Sequence, residues 1–433
     1  MHLFRLLPRH HYHQCRLSSS TLNGWAVSIS KLGTTVFVDV DEGKGREPIQ
    51  LVVDKRLLEE HRVNVGCAIM ATGKIQKRRD NKNNFEFVAE KLRVVGTDSN
   101  PRYDVSADKL RKDLSLRTRN PKFAAFLRAR SAIFQASHEF FLNREFVHID
   151  TPKLTGNDCE GGGDVFDVVS DSADFVKSKT DGLEGYQPIH LTVSSQLHLE
   201  AMTSRLNKVY TLGPAFRAEK QLSNTHLSEF HMLEAEIAFV EKTSDLLKIV
   251  EQYLNEMTNF AETSPIVQSY MKNVETTAPK IDEHRTFPRI TFEEAVSILN
   301  ERGEKVTAKS GLSRKNELKL TSIFKDSPVF VTDFPSDQKP FYMARSPDGK
   351  TTLSFDLLVP GVGELAGGSV REPDARKLEG RCNIDWYLEM RRRGQPPTGG
   401  FGIGFERLLQ YLLRVPNIKD TMAFPRWYRH VKC

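Results

Sequence analysis

Arg217, Glu219, Phe230, Glu234 and Glu236 stand close together in Phe216-Arg217-Ala218-Glu219, a polar loop from Lys220 to Glu229, and Phe230-His231-Met232-Leu233-Glu234-Ala235-Glu236. The pattern predicts two strands joined by a long loop. Side chains alternate across a strand, so Arg217 and Glu219 share a face of the first strand, Phe230, Met232, Glu234 and Glu236 share a face of the second, and hairpin pairing joins the two into one face. A face carrying a cation, carboxylates and an aromatic ring makes a poor core, because buried charge is costly unless paired. It suits a ligand with a phosphate, a flat base and an ammonium group. A solvated hairpin with Arg–Glu pairs satisfies the same pattern, and spacing alone leaves the two readings even.

Two further stretches carry chemistry. Gly399-Gly400-Phe401-Gly402-Ile403-Gly404-Phe405-Glu406-Arg407 precedes an apolar helical run, Leu408 to Leu413. Closely spaced glycines let a backbone turn tightly and approach a ligand, and an arginine near a helix start can meet a phosphate. The pattern is neither a Walker loop nor a dinucleotide fingerprint. Between the two lies Phe355-Asp356 through Glu364 to Arg371-Glu372. Asp356 and Glu364 are expected at the ends of a bent strand pair, where oxygen donors suit Mg²⁺ bridging phosphates. Taken alone, this stretch reads equally as a solvent loop with exposed acids.

The elements that must position these residues follow from periodicity. Residues 24–97 read as five short strands with a helical insert, Lys55 to His61, which suits a small Greek-key barrel of the oligonucleotide-binding type. Residues 98–115 read as a linker. Phe123 to Asn143 places Phe126, Ile133, Phe134, Phe140 and Phe141 at helical spacing, followed by a strand-like Phe146–Ile149 and by Pro152. Strands are expected at 189–193, 209–212, 329–334, 341–345 and 352–359, with helices at 195–205, 245–262 and 292–302. Residues 270–330 form an insertion of unassigned role in a domain of 116–433. Strands and helices follow no βαβα rhythm, so the fold class is α+β, an antiparallel sheet flanked by helices behind an N-terminal barrel.

Composition sets the bounds. The 433 residues are 39% hydrophobic and 27% charged, with a net charge of +6. That mild basicity permits a nucleic-acid partner without requiring one. Five isolated cysteines offer neither a zinc pattern nor a disulfide framework. No apolar run approaches the ~20 residues of a membrane span. Met1 to Val38 holds no acid but carries Arg5, Arg9, Arg16 and Ser18-Ser19-Ser20. Residues 1–20 therefore read as a mitochondrial transit peptide, or as a basic tail.

Together the three stretches resemble the ordered signature motifs of class II aminoacyl-tRNA synthetases. Pro152 resembles motif 1, Phe216 to Phe230 motif 2, and Gly402-Ile403-Gly404-Phe405-Glu406-Arg407 motif 3. A barrel ahead of that core resembles the aspartyl, asparaginyl and lysyl subgroup. The resemblance runs from about Gly24 to Arg426. It implies a homodimer that uses ATP and Mg²⁺ to charge tRNA. By position, Arg217 meets the α-phosphate, Phe230 stacks on adenine with Arg407 opposite, and Glu219 contacts the adenine amino group. His226 is the remaining loop contact to the γ-phosphate. Glu364 and Asp356 hold Mg²⁺. Glu160, Ser194, Gln196 and Glu234 surround the amino acid, and Phe37 and Gln50 meet an anticodon base. Departures include Asn224-Thr225-His226-Leu227, where relatives often show Arg-His-Leu, and Pro397-Thr398 in place of Pro-His.

The amino acid is read from Ser194-Ser195-Gln196-Leu197-His198-Leu199-Glu200. Aspartyl enzymes resemble S-P-Q-L-[FY]-K-Q there, with the lysine meeting the substrate carboxylate. This chain has Leu199 and Glu200 in the last two positions. A buried carboxylate needs a cation, whereas a neutral amide offers N–H donors that Glu200 can accept, with Arg371 serving the side-chain oxygen. The resemblance therefore implies asparagine. Aspartyl and lysyl specificity, an inactive RNA-binding relative and an asparagine-making paralogue are the alternatives.

Overall fold

The computed structural model describes residues 20–59, 63–78, 85–97, 105–156, 165–169, 177–180, 183–186, 189–272, 274 and 286–431. The chain divides into two compact units, Met1–Val105 and Ser106–Cys433. The transit-peptide reading of residues 1–20 falls, except for Ser20, outside the described residues.

In the first unit, β1 (Ser20–Leu32), β2 (Thr35–Asp41), β3 (Ile49–Asp54), β4 (Ala68–Lys77) and β5 (Phe85–Gly96) close into a barrel of order β1-β2-β3-β5-β4, with α1 (Lys55–Glu59) after β3. Closure leaves no unpaired edge. Alternation fills the interior: Val36, Val38 and Val40 of β2 pack against Leu51, Val53, Ile69 and Phe87. The intervening β2 residues point outward, so Phe37 lies on the outer surface rather than in the barrel core. Gly33 makes the tight β1–β2 turn with φ of 62°, a conformation that glycine adopts without steric cost.

The second unit begins with α2 (Ala107–Lys112), α3 (Leu114–Arg117), α4 (Pro121–Leu142), β6 (Val147–His148) and β7 (Leu154–Thr155). There follow β8 (Lys177–Thr180), β9 (Leu183–Tyr186), β10 (His190–Leu191), α5 (Gln196–Met202), β11 (Lys208–Phe216), β12 (Glu229–Ala238), α6 (Thr243–Thr263) and α7 (Pro265–Met271). The insertion contributes β13 (Arg289–Thr291), α8 (Phe292–Glu301) and α9 (Arg314–Ile323). The remainder is β14 (Val329–Thr332), β15 (Ser354–Val359), β16 (Gly363–Val370), α10 (Ala375–Leu378), α11 (Asp385–Arg392), β17 (Thr398–Gly404) and α12 (Phe405–Leu413).

One eight-stranded sheet of order β13-β14-β15-β16-β17-β12-β11-β6 organises this unit. Its interior is antiparallel, as expected, but both edges are parallel, β13 on β14 and β6 on β11. One face is buried by helices. Leu233, Ala235 and Ile237 of β12, Phe401 and Ile403 of β17 and Leu357 of β15 join buried residues of α4, α6 and α12 in the main core. Helix α4 is well specified: Asn120 caps the amide of Phe123, Pro121 takes the first turn, and Phe126, Ala129, Ile133, Ala136 and Phe140 line one face.

The other face is covered only at its ends. Val331 and Leu358 meet α8 and α9 at one end. Leu197 of α5 meets Tyr387 and Leu388 of α11 at the other. One expected strand is absent: residues 341–345 make only isolated bridges, Met343 to Arg371 and Arg345 to Thr352. Pro340 and the Asp348-Gly349 turn bracket a run too short for a ladder.

Candidate active site

The uncovered middle of the sheet forms a cleft of about 750 Å³. Its floor is bare because β17 alternates glycine toward the cleft with Phe401 and Ile403 toward the core. Gly400, Gly402 and Gly404 lie opposite Glu236, Glu234 and Met232 of β12. A Cβ on Gly400 would stand 1.8 Å from Glu236 Oε2, and one on Gly402 would stand 2.9 Å from Met232 Cε. These glycines were expected to let the backbone turn tightly and approach a ligand. They lie instead in a regular strand, and what they supply is absence of volume.

One end of the cleft collects cations. Arg217, Arg407 and His226 line it with Phe230. The first strand of the hairpin ends at Phe216, so Arg217 and Glu219 are loop residues rather than neighbours on a strand face. The Arg217 amide still donates to Ser228 O at 3.0 Å, and its guanidinium lies 5.7 Å from the Phe230 ring centroid, a cation–π distance. Glu219 stands 3.9 Å from Arg217 Nη1 and 3.7 Å from His226 Nε2. Burial lowers the His226 pKa; Glu219 opposes this, and Arg407, Arg314 and Arg217 lower it further. Three arginines close enough to act on this imidazole offer positive charge to an anion.

Asp356 and Glu364 reach the same cleft because of a β-bulge. Leu357 pairs with Ala366, but Leu358 pairs with Glu364 and skips Leu365. One extra residue exchanges the faces of everything beyond it. Leu365 thereby enters the main core, and Glu364 faces the cleft. A Cβ on Gly367 would lie 3.2 Å from Asp356 Oδ1 and 3.4 Å from Glu364 Oε1, so the two carboxylates converge over that glycine. Lys339 Nζ contacts both Asp356 oxygens at 2.9 Å. Burial pushes the Asp356 carboxyl up to about 6; Lys339 opposes this and Glu364 adds to it. Among the described residues no cluster of three or more metal-ligating side chains exists. Two oxygen ligands at an anion seat fit Mg²⁺, which takes one or two carboxylates and completes its shell with phosphates and water.

The opposite end gathers buried carboxylates beside amide and guanidinium donors, which can take an ammonium group and a short polar side chain. Glu234 is buried yet lines the cleft. It accepts from the Ser194 hydroxyl and, at 2.9 Å, from the Ser195 amide. Gln196 donates Nε2–H to Glu200 Oε2 at 3.0 Å. Arg371 forks onto Glu236 with Nε to Oε1 at 2.9 Å and Nη2 to Oε2 at 2.8 Å, and donates to Ser369 at 2.7 Å. Burial alone would lower the Arg371 pKa, but Glu236 outweighs it and raises it, while burial pushes the Glu236 carboxyl up to about 7 against the pull of Arg371. Those bonds use three of five guanidinium N–H groups, and Arg371 lines the cleft.

Glu200 requires a correction. It was expected to accept directly from a substrate amide, but its carboxylate is fully buried and already accepts from Gln196, from Tyr387 OH at 2.6 Å, from Thr398 Oγ1 at 2.7 Å and from Arg391. It reaches the cleft only through Gln196. Leu199 is buried as well and does not line the cleft. Glu160 falls outside the described residues.

Several participants gave no signal in the sequence. Arg391 and Tyr387 lie on a helix far along the chain, and Lys339 precedes the segment misread as a strand. Arg130 of α4 donates to Glu406 Oε1 at 2.7 Å, and Glu406 Oε2 accepts from the His231 amide at 2.7 Å. Those contacts tie α4, the second hairpin strand β12 and the start of α12 together. Glu236 was legible, two residues beyond Glu234 on the same face. In the barrel, Phe37 and Gln50 both lie at half-buried positions of the outer surface.

A model of class II tRNA synthetases of the D, K and N group matches residues 107–428. The chain is 37% identical to mouse asparaginyl-tRNA synthetase, over 94% of this chain and 90% of that one. It is 35% identical to an asparagine–tRNA ligase of Phytoplasma australiense, over 94% and 95%. Among solved structures it is similar to Pyrococcus horikoshii asparaginyl-tRNA synthetase complexed with asparaginyl-adenylate, with a TM-score of 0.85, 29% identity and coverage of 95% and 96%.

Proposed function

The chain belongs to the class II aminoacyl-tRNA synthetases of the aspartyl, lysyl and asparaginyl group, and from that premise we propose that it is an asparagine–tRNA ligase. The observation that carries the choice of asparagine is the state of Gln196. Glu200 accepts from four donors and can only accept, so it turns the Gln196 amide nitrogen toward itself. Gln196 Oε1 is buried and without a partner among the described residues, on a residue that lines the cleft. A side-chain amide can donate to that oxygen while its carbonyl accepts from Arg371. A carboxylate would set one oxygen against another and would lack a lysine at position 199. Sites that hydrogen-bond an N–H reject analogues lacking it by about 10⁴-fold.

The chemistry asks little of the protein beyond placement and charge. A carboxylate oxygen of asparagine attacks the α-phosphorus of ATP, the bond to the β-phosphate bridging oxygen breaks, and pyrophosphate leaves with the electron pair. No proton moves in this step. Glu234 holds the α-ammonium group, Phe230 stacks on adenine, and Arg217 stabilises the charge on the α-phosphate in the transition state. Glu219 takes the adenine amino group, while His226 and Arg407 lie toward the γ-phosphate. Asp356 and Glu364 would hold Mg²⁺, which neutralises phosphate charge when bound. In the second step a terminal ribose hydroxyl of tRNA attacks the carbonyl carbon, the bond to the phosphate oxygen breaks, and AMP leaves with the electron pair while its phosphate takes the hydroxyl proton.

Two wider assignments belong to the proposal. Leu142 and Val147, exposed beside the edge strand β6, suit a homodimer, and size-exclusion chromatography with light scattering will read twice the chain mass. The acid-poor N-terminus suits mitochondrial import; deleting residues 1–20 should leave a fused reporter in the cytosol. The activity itself is tested by charging: the purified protein should attach labelled asparagine to tRNA carrying an asparagine anticodon. Binding of that tRNA without charging would favour the inactive RNA-binding reading.

A further inference from the structure

The insertion helix α9 touches the cleft's phosphate end without lining it. Arg314 donates Nε–H to Val362 O at 3.0 Å and Nη2–H to Gly361 O at 3.2 Å. Glu317, one turn on, accepts from the Glu364 amide at 3.0 Å. Between these contacts Gly363 has φ of 95°, and a Cβ there would lie 2.5 Å from Glu317 Oε2. Glycine meets both demands, a left-handed backbone and close approach. The turn from β15 to β16 is thus held at three successive peptide groups by one helix. From its far end, the Glu364 carbonyl accepts from Arg407 Nη1 at 2.8 Å. The chain of contacts runs from α9 to the turn, to Glu364, to the cleft arginine of α12.

The arrangement has a cost. Glu317 sets a third carboxylate beside Asp356 and Glu364, and like charges repel. A neutral side chain could also accept from an amide, so the carboxylate is tolerated for its reach and fit rather than demanded for its charge. Arg407 offsets part of it.

We propose that Arg314 and Glu317 are positioning residues, a clamp by which α9 presets Glu364 and, through its carbonyl, Arg407 for the triphosphate of ATP. This gives the insertion a role in nucleotide binding, and it rests on the reading of the cleft as an ATP site. The clamp acts on the phosphate end and leaves the amino-acid end untouched, because neither residue contacts Ser194, Gln196, Glu234 or Arg371.

Steady-state ATP–pyrophosphate exchange by the full chain tests it. E317A should raise KM for ATP about 10-fold with KM for asparagine unchanged, the loss expected when a buried amide loses its acceptor. E317Q should recover most of that loss, since its side-chain oxygen still accepts. R314A, an exposed substitution expected to fold whatever E317A does, should raise KM for ATP about 3-fold in the same selective way. Wild-type KM for ATP in both E317A and R314A would overturn the clamp, as would equal rises in both Michaelis constants. E317Q as impaired as E317A would overturn it too, by making the charge the requirement. Absence of exchange in the unaltered protein would instead refute the ATP site itself.

Discussion

Gln196 shows how one side chain can hold a specificity that its identity does not reveal. A glutamine amide is ambiguous, since either end can face a ligand. Glu200 removes the ambiguity, and the two sit four apart on α5, a spacing that brings side chains together on a helix. That contact was legible. The direction of Glu200 was not, because its other partners include Arg391, 191 positions away. Gln196→Glu would place two carboxylates about 3 Å apart, with Arg391 already engaged by the other oxygen of Glu200. Asparagine-dependent exchange should fall at least about 100-fold, with no compensating gain for aspartate. Unimpaired exchange would show that Gln196 does not meet the substrate. Arg217→Lys keeps the charge but loses the planar fork; kcat should drop about 100-fold with KM for asparagine little altered. A loss confined to KM would place Arg217 in binding alone.

At the scale of elements, the sheet does most of the positioning. Alternation on β12 and β17 was readable: Glu234 and Glu236 on one face, Leu233 and Ala235 on the other. What the glycines of β17 do was not readable, because missing volume leaves no periodic trace of its neighbours. Gly400→Ala should prevent folding, since the new methyl would meet both Glu236 Oε2 and, at 2.4 Å, the Ala235 carbonyl; soluble, active protein would contradict the close approach. The bulge at Leu365 was equally hidden. Asp356 and Glu364 were expected at the ends of a bent strand pair, but nothing in the spacing showed that an extra residue within the strand turns Glu364 toward the cleft. Arg130 bridges α4 to Glu406, which is 1% exposed. Arg130→Ala strands a buried carboxylate, at about 3 kcal/mol, and scanning calorimetry should show the midpoint lowered by several degrees. An unchanged midpoint would mean that the His231 contacts alone satisfy Glu406.

For the whole molecule, the order barrel then sheet was legible from strand spacing and the absence of a βαβα rhythm. The parallel edges were not, since β6 and β13 are only two and three residues long. Division into two units suggests divided labour. Phe37→Ala on the barrel's outer face should cut tRNA charging about 10-fold, the worth of one base–aromatic stack, and leave ATP–pyrophosphate exchange near the unaltered rate. Equal losses in both assays would assign Phe37 to the fold. The family accounts for adenylate formation in general terms; what distinguishes this chain is the choice of amino acid. That choice is tested most directly by ATP–pyrophosphate exchange with asparagine and with aspartate as parallel substrates. We predict kcat/KM for asparagine at least about 1,000-fold above that for aspartate. Comparable rates, or a preference for aspartate, would contradict the reading of Gln196 and Arg371 as an amide site.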